Sequence, residues 1–82
     1  MVEKYIRDAL IGQPIENAED ILHSFGKPDF VDEKIDDGSD GDDDAYVMMR
    51  SFRISTMEGN YYIRLFYGDM TRVIAMVGIV KE

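Results

Sequence analysis

The chain contains no cysteine. That absence excludes disulfide staples, thiolate metal sites, cysteine nucleophiles and lipid attachment through a cysteine. Small secreted domains commonly need staples, so the expectation is a cytoplasmic protein in a reducing compartment. No apolar run approaches the roughly 20 residues that span a bilayer, and no basic start leads into an apolar stretch with a small-residue cleavage site. A glycine-rich phosphate loop is also missing. Gly38-Ser39-Asp40-Gly41 is acidic, the wrong sign for phosphate. The one histidine, His23, has only Ser24 beside it, and neighbours in a helix project in different directions. A base paired with a nucleophile is therefore lacking. Carboxylates are plentiful, but glycosidase-type chemistry needs two of them held at a fixed separation in a cleft. The expectation is a protein that is not an enzyme and carries no cofactor.

What is present suits one small domain, residues 1–82. Hydrophobic residues make up 45% and aromatics 11%, enough for a core and against global disorder. The net charge is −8. Between positions 29 and 44 lie nine acids and Lys34, so this segment carries the whole of it. The rest is balanced at eight acids and eight bases. No basic stripe exists for phosphate contact, so the expectation is no nucleic-acid partner.

Hydrophobic spacing sets out the elements. Val2, Tyr5, Ile6, Ala9 and Leu10 follow a helical period over 2–10, and Gly12, Gln13 and Pro14 end it. A second helix follows Asn17, an N-cap residue type, with Asp20 three positions on in partial imitation of a capping box. Its stripe is Ala18, Ile21, Leu22 and Phe25. Gly26 suits a left-handed cap and Pro28 a stop. Phe30 to Ile35 reads as a charged edge strand with Val31 and Ile35 facing one way. Residues 36–44, without an apolar side chain, read as an acidic mobile loop. Three strands follow at 45–57, 60–67 and 72–80. A turn at Glu58-Gly59 pairs Ile54 with Ile63 and Phe52 with Leu65. The expected fold is α+β, with two short N-terminal helices packed on one face of a three- to four-stranded antiparallel sheet.

That register puts Tyr46, Met48, Phe52, Ile54, Tyr61, Ile63, Leu65 and Tyr67 on the face under the helices. Met49, Arg53, Tyr62, Arg64 and Phe66 fall on the other. Arginine and aromatic residues are the types enriched where proteins bind, and methionine adapts to varied partners. The bland alternative is a solvated face on which arginine stems cover the rings. The last strand is apolar on both sides, with Val73, Ala75, Val77 and Ile79 against Ile74, Met76 and Val80. Two short helices do not cover both faces, so the second face is a candidate to meet another chain.

The acidic run reads as a solvated loop, as an electrostatic attraction for a basic partner, or as a cation site. An EF-hand loop needs oxygen ligands at positions 1, 3 and 5, glycine at 6 and glutamate at 12. Counted from Asp36, Gly38 and Val47 fall where ligands belong. Counted from Asp40, Ala45 replaces the glycine. These readings leave a non-enzymatic protein-binding module, an inhibitor or immunity-type protein engaging a basic partner. Asp40, Asp42, Asp43, Asp44, Met49, Arg53, Tyr62, Arg64 and Phe66 are its candidate contact residues. The alternatives are a structural homodimer through the open sheet face, and divalent-metal or small-ligand binding at the acidic loop. None of these readings involves a membrane.

The run Asn17-Ala18-Glu19-Asp20-Ile21-Leu22-His23-Ser24-Phe25-Gly26-Lys27-Pro28 resembles the cap, acid, aliphatic, aliphatic-Gly-x-Pro signature of the SmpA/OmlA family. That family includes a lipoprotein of outer-membrane β-barrel assembly, and its pattern is similar to the repeats of the β-lactamase inhibitor protein. Tyr61 to Tyr67 resembles the family's aromatic-rich strand, and Ile15 stands where the family usually has glycine. The resemblance implies two helices on an antiparallel sheet, in a fold used for binding proteins. Without the acylated cysteine it implies no envelope role, and no functional residue carries over.

Overall fold

The two apolar stripes of the N-terminal third must be buried against another layer, and in the computed structural model that layer is a sheet. It describes residues 2–36 and 47–82. Helix α1 runs over Val2–Leu10, a single 3-10 turn over Ile15–Asn17 and helix α2 over Ala18–His23. Strands β1 (Lys27–Asp36), β2 (Val47–Thr56), β3 (Gly59–Gly68) and β4 (Ile74–Lys81) form one antiparallel sheet in the order β1-β2-β3-β4. The fold is α+β, with both helices on one face. Ile6, Leu10, Ile15, Ala18 and Leu22 pack onto Phe52, Ile54, Tyr61, Ile63, Leu65, Tyr67, Ile74 and Val77, all buried.

Several local expectations are corrected. Tyr5 leaves the stripe and is 63% exposed. Asn17 is not a side-chain cap. It already has helical dihedrals as the end of the 3-10 turn, and its N–H bonds the Pro14 carbonyl at 3.0 Å. Gly26 is not left-handed, since among the described glycines only Gly12 and Gly59 have positive φ. Glycine is needed there because a Cβ would lie 2.1 Å from the Ser55 carbonyl oxygen. Strand β1 starts at Lys27 rather than Phe30 and runs through Asp36. Asp36 is therefore a strand residue, paired with Val47. Positions 37–44 of the expected loop, and Tyr46, lie outside the described residues.

The register between β2 and β3 is also corrected, by two residues. Ile54 pairs with Tyr61 and Phe52 with Ile63, about a Met57-Glu58 turn. Thr56 explains the position. Its hydroxyl accepts from the Glu58 N–H at 3.1 Å and donates to the Gly59 carbonyl at 2.9 Å, while Gly59 takes φ 130° as the first residue of β3. A slip of two keeps every side chain on its expected face.

Two bulges change faces elsewhere. The β1–β2 register shifts between Phe30 and Asp32. Phe30 and Ile35 thereby share the helical side, opposite Phe52 and Met48, and the expected pairing of Val31 with Ile35 is lost. The β3–β4 register shifts between Phe66 and Tyr67, so that Tyr67 meets Ile74. Ile74 turns into the core beside Val77, while Val73 is 39% exposed.

Candidate functional site

Strand alternation and register define the sheet face away from the helices. Three cross-strand rows cover it. Met49, Phe66 and Met76 form one, Ser51, Arg64 and Gly78 the next, and Arg53, Tyr62 and Val80 the third. All five described candidate residues, Met49, Arg53, Tyr62, Arg64 and Phe66, thus lie together. Asp40, Asp42, Asp43 and Asp44 lie outside the described residues. Sequence reasoning left four members of these rows off the candidate set, Ser51, Met76, Gly78 and Val80. Met76 and Val80, each 59% exposed, sit on the side of β4 already marked as apolar, so the signal was present. Ser51 carried none.

The middle row explains the shape of the face. Gly78 has no side chain to stand opposite Arg64. The Arg64 guanidinium lies over the Tyr62 ring, 5.2 Å from its centroid, a cation–π contact that holds a charge flat on the surface. Ser51 is fully buried beneath this layer, and its hydroxyl has no hydrogen-bond partner. Arg53 bonds Glu82 at 3.2 Å in an exposed pair, which contributes little to stability.

At the end of the face nearest Phe66 is an open groove of about 470 Å³, with Val47, Phe66, Ala75 and Met76 in its walls. Asp36 is the one carboxylate in its lining among the described residues. The strand ends that bracket positions 37–46, Asp36 and Val47, therefore stand at the rim of this groove.

The helical side carries a polar cluster at the sheet end bearing Tyr67. The β1 bulge puts Glu33 opposite Arg50, and the two pair at 2.8 Å. The Tyr67 hydroxyl donates to the same Glu33 oxygen. The guanidiniums of Arg50 and Arg72 lie 5.7 Å and 5.5 Å from the Tyr67 ring centroid, and Arg72 pairs with Glu16 at 2.8 Å. Burial raises the Glu33 carboxyl, but the hydrogen bonds from Tyr67 and Arg50 outweigh it and hold the group below its ordinary value. Burial and the Glu33 carboxylate push the Tyr67 phenol up. The Arg72 hydrogen bond lowers exposed Glu16. Each charge is matched within the cluster, which ties β1, β2, β3 and the 3-10 turn together and leaves no poised acid, base or nucleophile. Sequence reasoning missed this cluster. Its one signal was Arg50, which interrupts the inward series Met48, Phe52, Ile54.

His23 is exposed at the end of α2. No group of three or more His, Cys, Asp or Glu side chains among the described residues is placed to hold a metal ion. No helix among them is long and apolar enough to cross a membrane. No family model matches the chain, nor does any curated protein or solved structure.

Proposed function

We propose that this chain is a non-enzymatic protein-binding module that receives its partner on the open face of the sheet. One observation carries the reading. Met49, Tyr62, Phe66, Met76 and Val80 stand in register beside Arg53 and Arg64 on a face that neither helix covers. Aromatic residues, methionine and arginine are the anchors of protein interfaces. Strand pairing fixes their backbone positions, which reduces the ordering cost of association. An inhibitor or immunity-type role, in which binding is itself the activity, needs no more than such a face.

Charge favours a basic partner. Asp36 lines the groove that continues the Met49–Phe66–Met76 row, and the sequence places eight further acids between positions 29 and 44. A partner with an apolar anchor ringed by lysine or arginine would meet both features, with faster association at low salt.

Affinity capture tests this with the wild type, Phe66→Asp and an α2 surface control, Glu19→Lys. The proteins retained by wild type and control should be lost from Phe66→Asp, and their retention should fall as salt rises. A retained set that Phe66→Asp leaves unchanged would sink the proposal.

A further inference from the structure

The two outer strands of the sheet are built differently. Strand β1 carries Lys27, Asp29, Asp32, Glu33, Lys34 and Asp36 along its length, with Pro28 near its start. Charges and proline are the devices that keep an edge from pairing with another chain. Strand β4 has neither over Ile74–Val80, and Lys81 is its one charge.

The hydrogen bonds show which β4 groups face outward. Ile74 spends its N–H on the Gln13 carbonyl and its carbonyl on the Gly12 N–H, at 2.9 and 2.8 Å, so the segment after α1 covers the start of the edge. Farther on, Arg7 donates to the Val77 carbonyl at 3.5 Å, which therefore points away from β3. The Glu82 N–H bonds Asn60, next to β3's first residue, at 2.8 Å and points inward. Backbone groups alternate along a strand. Val77, Ile79 and Lys81 thus turn their N–H and C=O groups outward, and the Arg7 bond at the limit of hydrogen-bonding distance is the one protein partner for any of them among the described residues.

We infer that β4 is a pairing edge whose occupant is β4 of a second copy of this chain, antiparallel and centred on Ile79. In that register Val77 meets Lys81 of the second copy and Ile79 meets Ile79, so every outward group is satisfied by the same set on the other chain. This is the self-complementarity that a two-fold interface requires. On the open face, Val80 of one copy stands over Gly78 of the other, where there is no side chain to displace it. An uncharged strand also needs an uncharged partner, and β4 supplies one.

Charge selects this edge over the other. Strands in a sheet lie about 4.8 Å apart. Pairing through β4 puts seven spacings, roughly 34 Å, between the two acidic β1 strands. That is about four times the screening length of roughly 8 Å at physiological salt. Pairing through β1 would bring the same carboxylates within one spacing.

Sedimentation and light scattering of the full chain at rising concentration should show the mass move from 9.4 kDa towards twice that value. Because the chain has no cysteine, a single Ile79→Cys reports the seam. Opposed residues in a hydrogen-bonded antiparallel pair lie about 5.5 Å apart at Cα, within disulfide reach. Mild oxidation should give a covalent dimer with Ile79→Cys and none above background with Arg53→Cys, whose position is on the open face. Lys81→Pro removes an outward N–H while leaving the ladder to β3 intact, and should give a folded monomer. A protein that stays monomeric at every concentration overturns the inference. So does a dimer that Lys81→Pro leaves intact, or one that Phe66→Asp dissolves while Ile79→Cys fails to link.

Discussion

Tyr67 and Glu33 meet across an intervening strand, the phenol of β3 donating to the carboxylate of β1 over Arg50 of β2. The contact exists because of the β1 bulge, which turns Glu33 to the helical side. Glu33 is held below its ordinary value of 4.5. A carboxyl whose folded value is depressed contributes stability above its unfolded value, and that stability is lost as pH falls through the folded value. Tyr67 is raised above its ordinary 10.0, so its contribution is full below 10.0 and is lost as pH rises through the raised value. Glu33→Gln should therefore flatten the acid limb of a stability–pH profile below 4.5. Tyr67→Phe should remove this residue's share of the alkaline limb and cost about 1.5–3 kcal/mol at neutral pH, the range for a hydrogen bond to a charged group. Urea melts across pH, with tyrosinate absorbance as a second readout, check both. Equal acid limbs in wild type and Glu33→Gln would contradict the assignment.

Gly26 and Gly12 make opposite demands on alanine. At Gly26 the backbone is ordinary but the space is filled, with the Ser55 carbonyl oxygen 2.1 Å from an added Cβ. At Gly12 the space is open but φ is +84°. Overpacking against backbone costs about 1–3 kcal/mol, and a left-handed dihedral about 1–2 kcal/mol. Gly26→Ala should be the more damaging, and it should loosen β1 from β2. Thermal melts give the order, and hydrogen exchange at β1 amides gives the location. A Gly26→Ala protein as stable as wild type would show that the bend leading into β1 does not approach β2 this closely.

How much was legible follows from the same residues. The alternation of Phe52, Ile54, Tyr61, Ile63, Leu65 and Tyr67 fixes which face is buried whatever the register. The open face was therefore readable although the Glu58-Gly59 turn was misplaced by the Thr56 hydroxyl bonds. Bulges were not readable, because the charged β1 and the β4 that is apolar on both sides alternate too weakly to show the phase shift of an extra residue. Both changes of face, Glu33 and Ile35 in β1 and Ile74 in β4, come from them. The polar cluster was invisible for the same reason, since without the bulge Glu33 would face away from Arg50. Gly26 looked like a helix cap because composition does not distinguish a glycine needed for its dihedral from one needed for its missing side chain.

Ser51 tests the packing of the open face. Its hydroxyl is buried without a partner, and leaving such a group unsatisfied costs about 1–3 kcal/mol. Ser51→Ala should therefore leave stability unchanged or raise it by up to about 1 kcal/mol. Ser51→Val should lower it, by forcing methyl groups under Arg64. Denaturant midpoints for the pair decide the matter. Marked destabilisation by Ser51→Ala would mean that the hydroxyl has found a partner.

Arg72 is the one non-glycine residue among those described with positive φ, at 58°. Its position is over-determined. Its N–H bonds the Gly68 carbonyl and its own carbonyl accepts from Ile15, both at 2.8 Å, while its side chain holds Glu16 and covers Tyr67. The left-handed dihedral costs about 1–2 kcal/mol for any residue with a Cβ, and the contacts around it offset that cost. Truncation separates the two effects. Arg72→Ala loses the side-chain contacts and keeps the strain, whereas Arg72→Gly loses both. In the folded state glycine recovers the free energy that the strain costs, but it also loosens the unfolded chain by about 0.4–1 kcal/mol. Arg72→Gly should therefore be the more stable variant by up to about 1 kcal/mol, with both below wild type. Urea denaturation of the three proteins reads this order directly. If Arg72→Ala proves the more stable, the turn between β3 and β4 relaxes once the side chain is gone, and the strain is imposed by the Glu16 and Tyr67 contacts rather than by the backbone bonds.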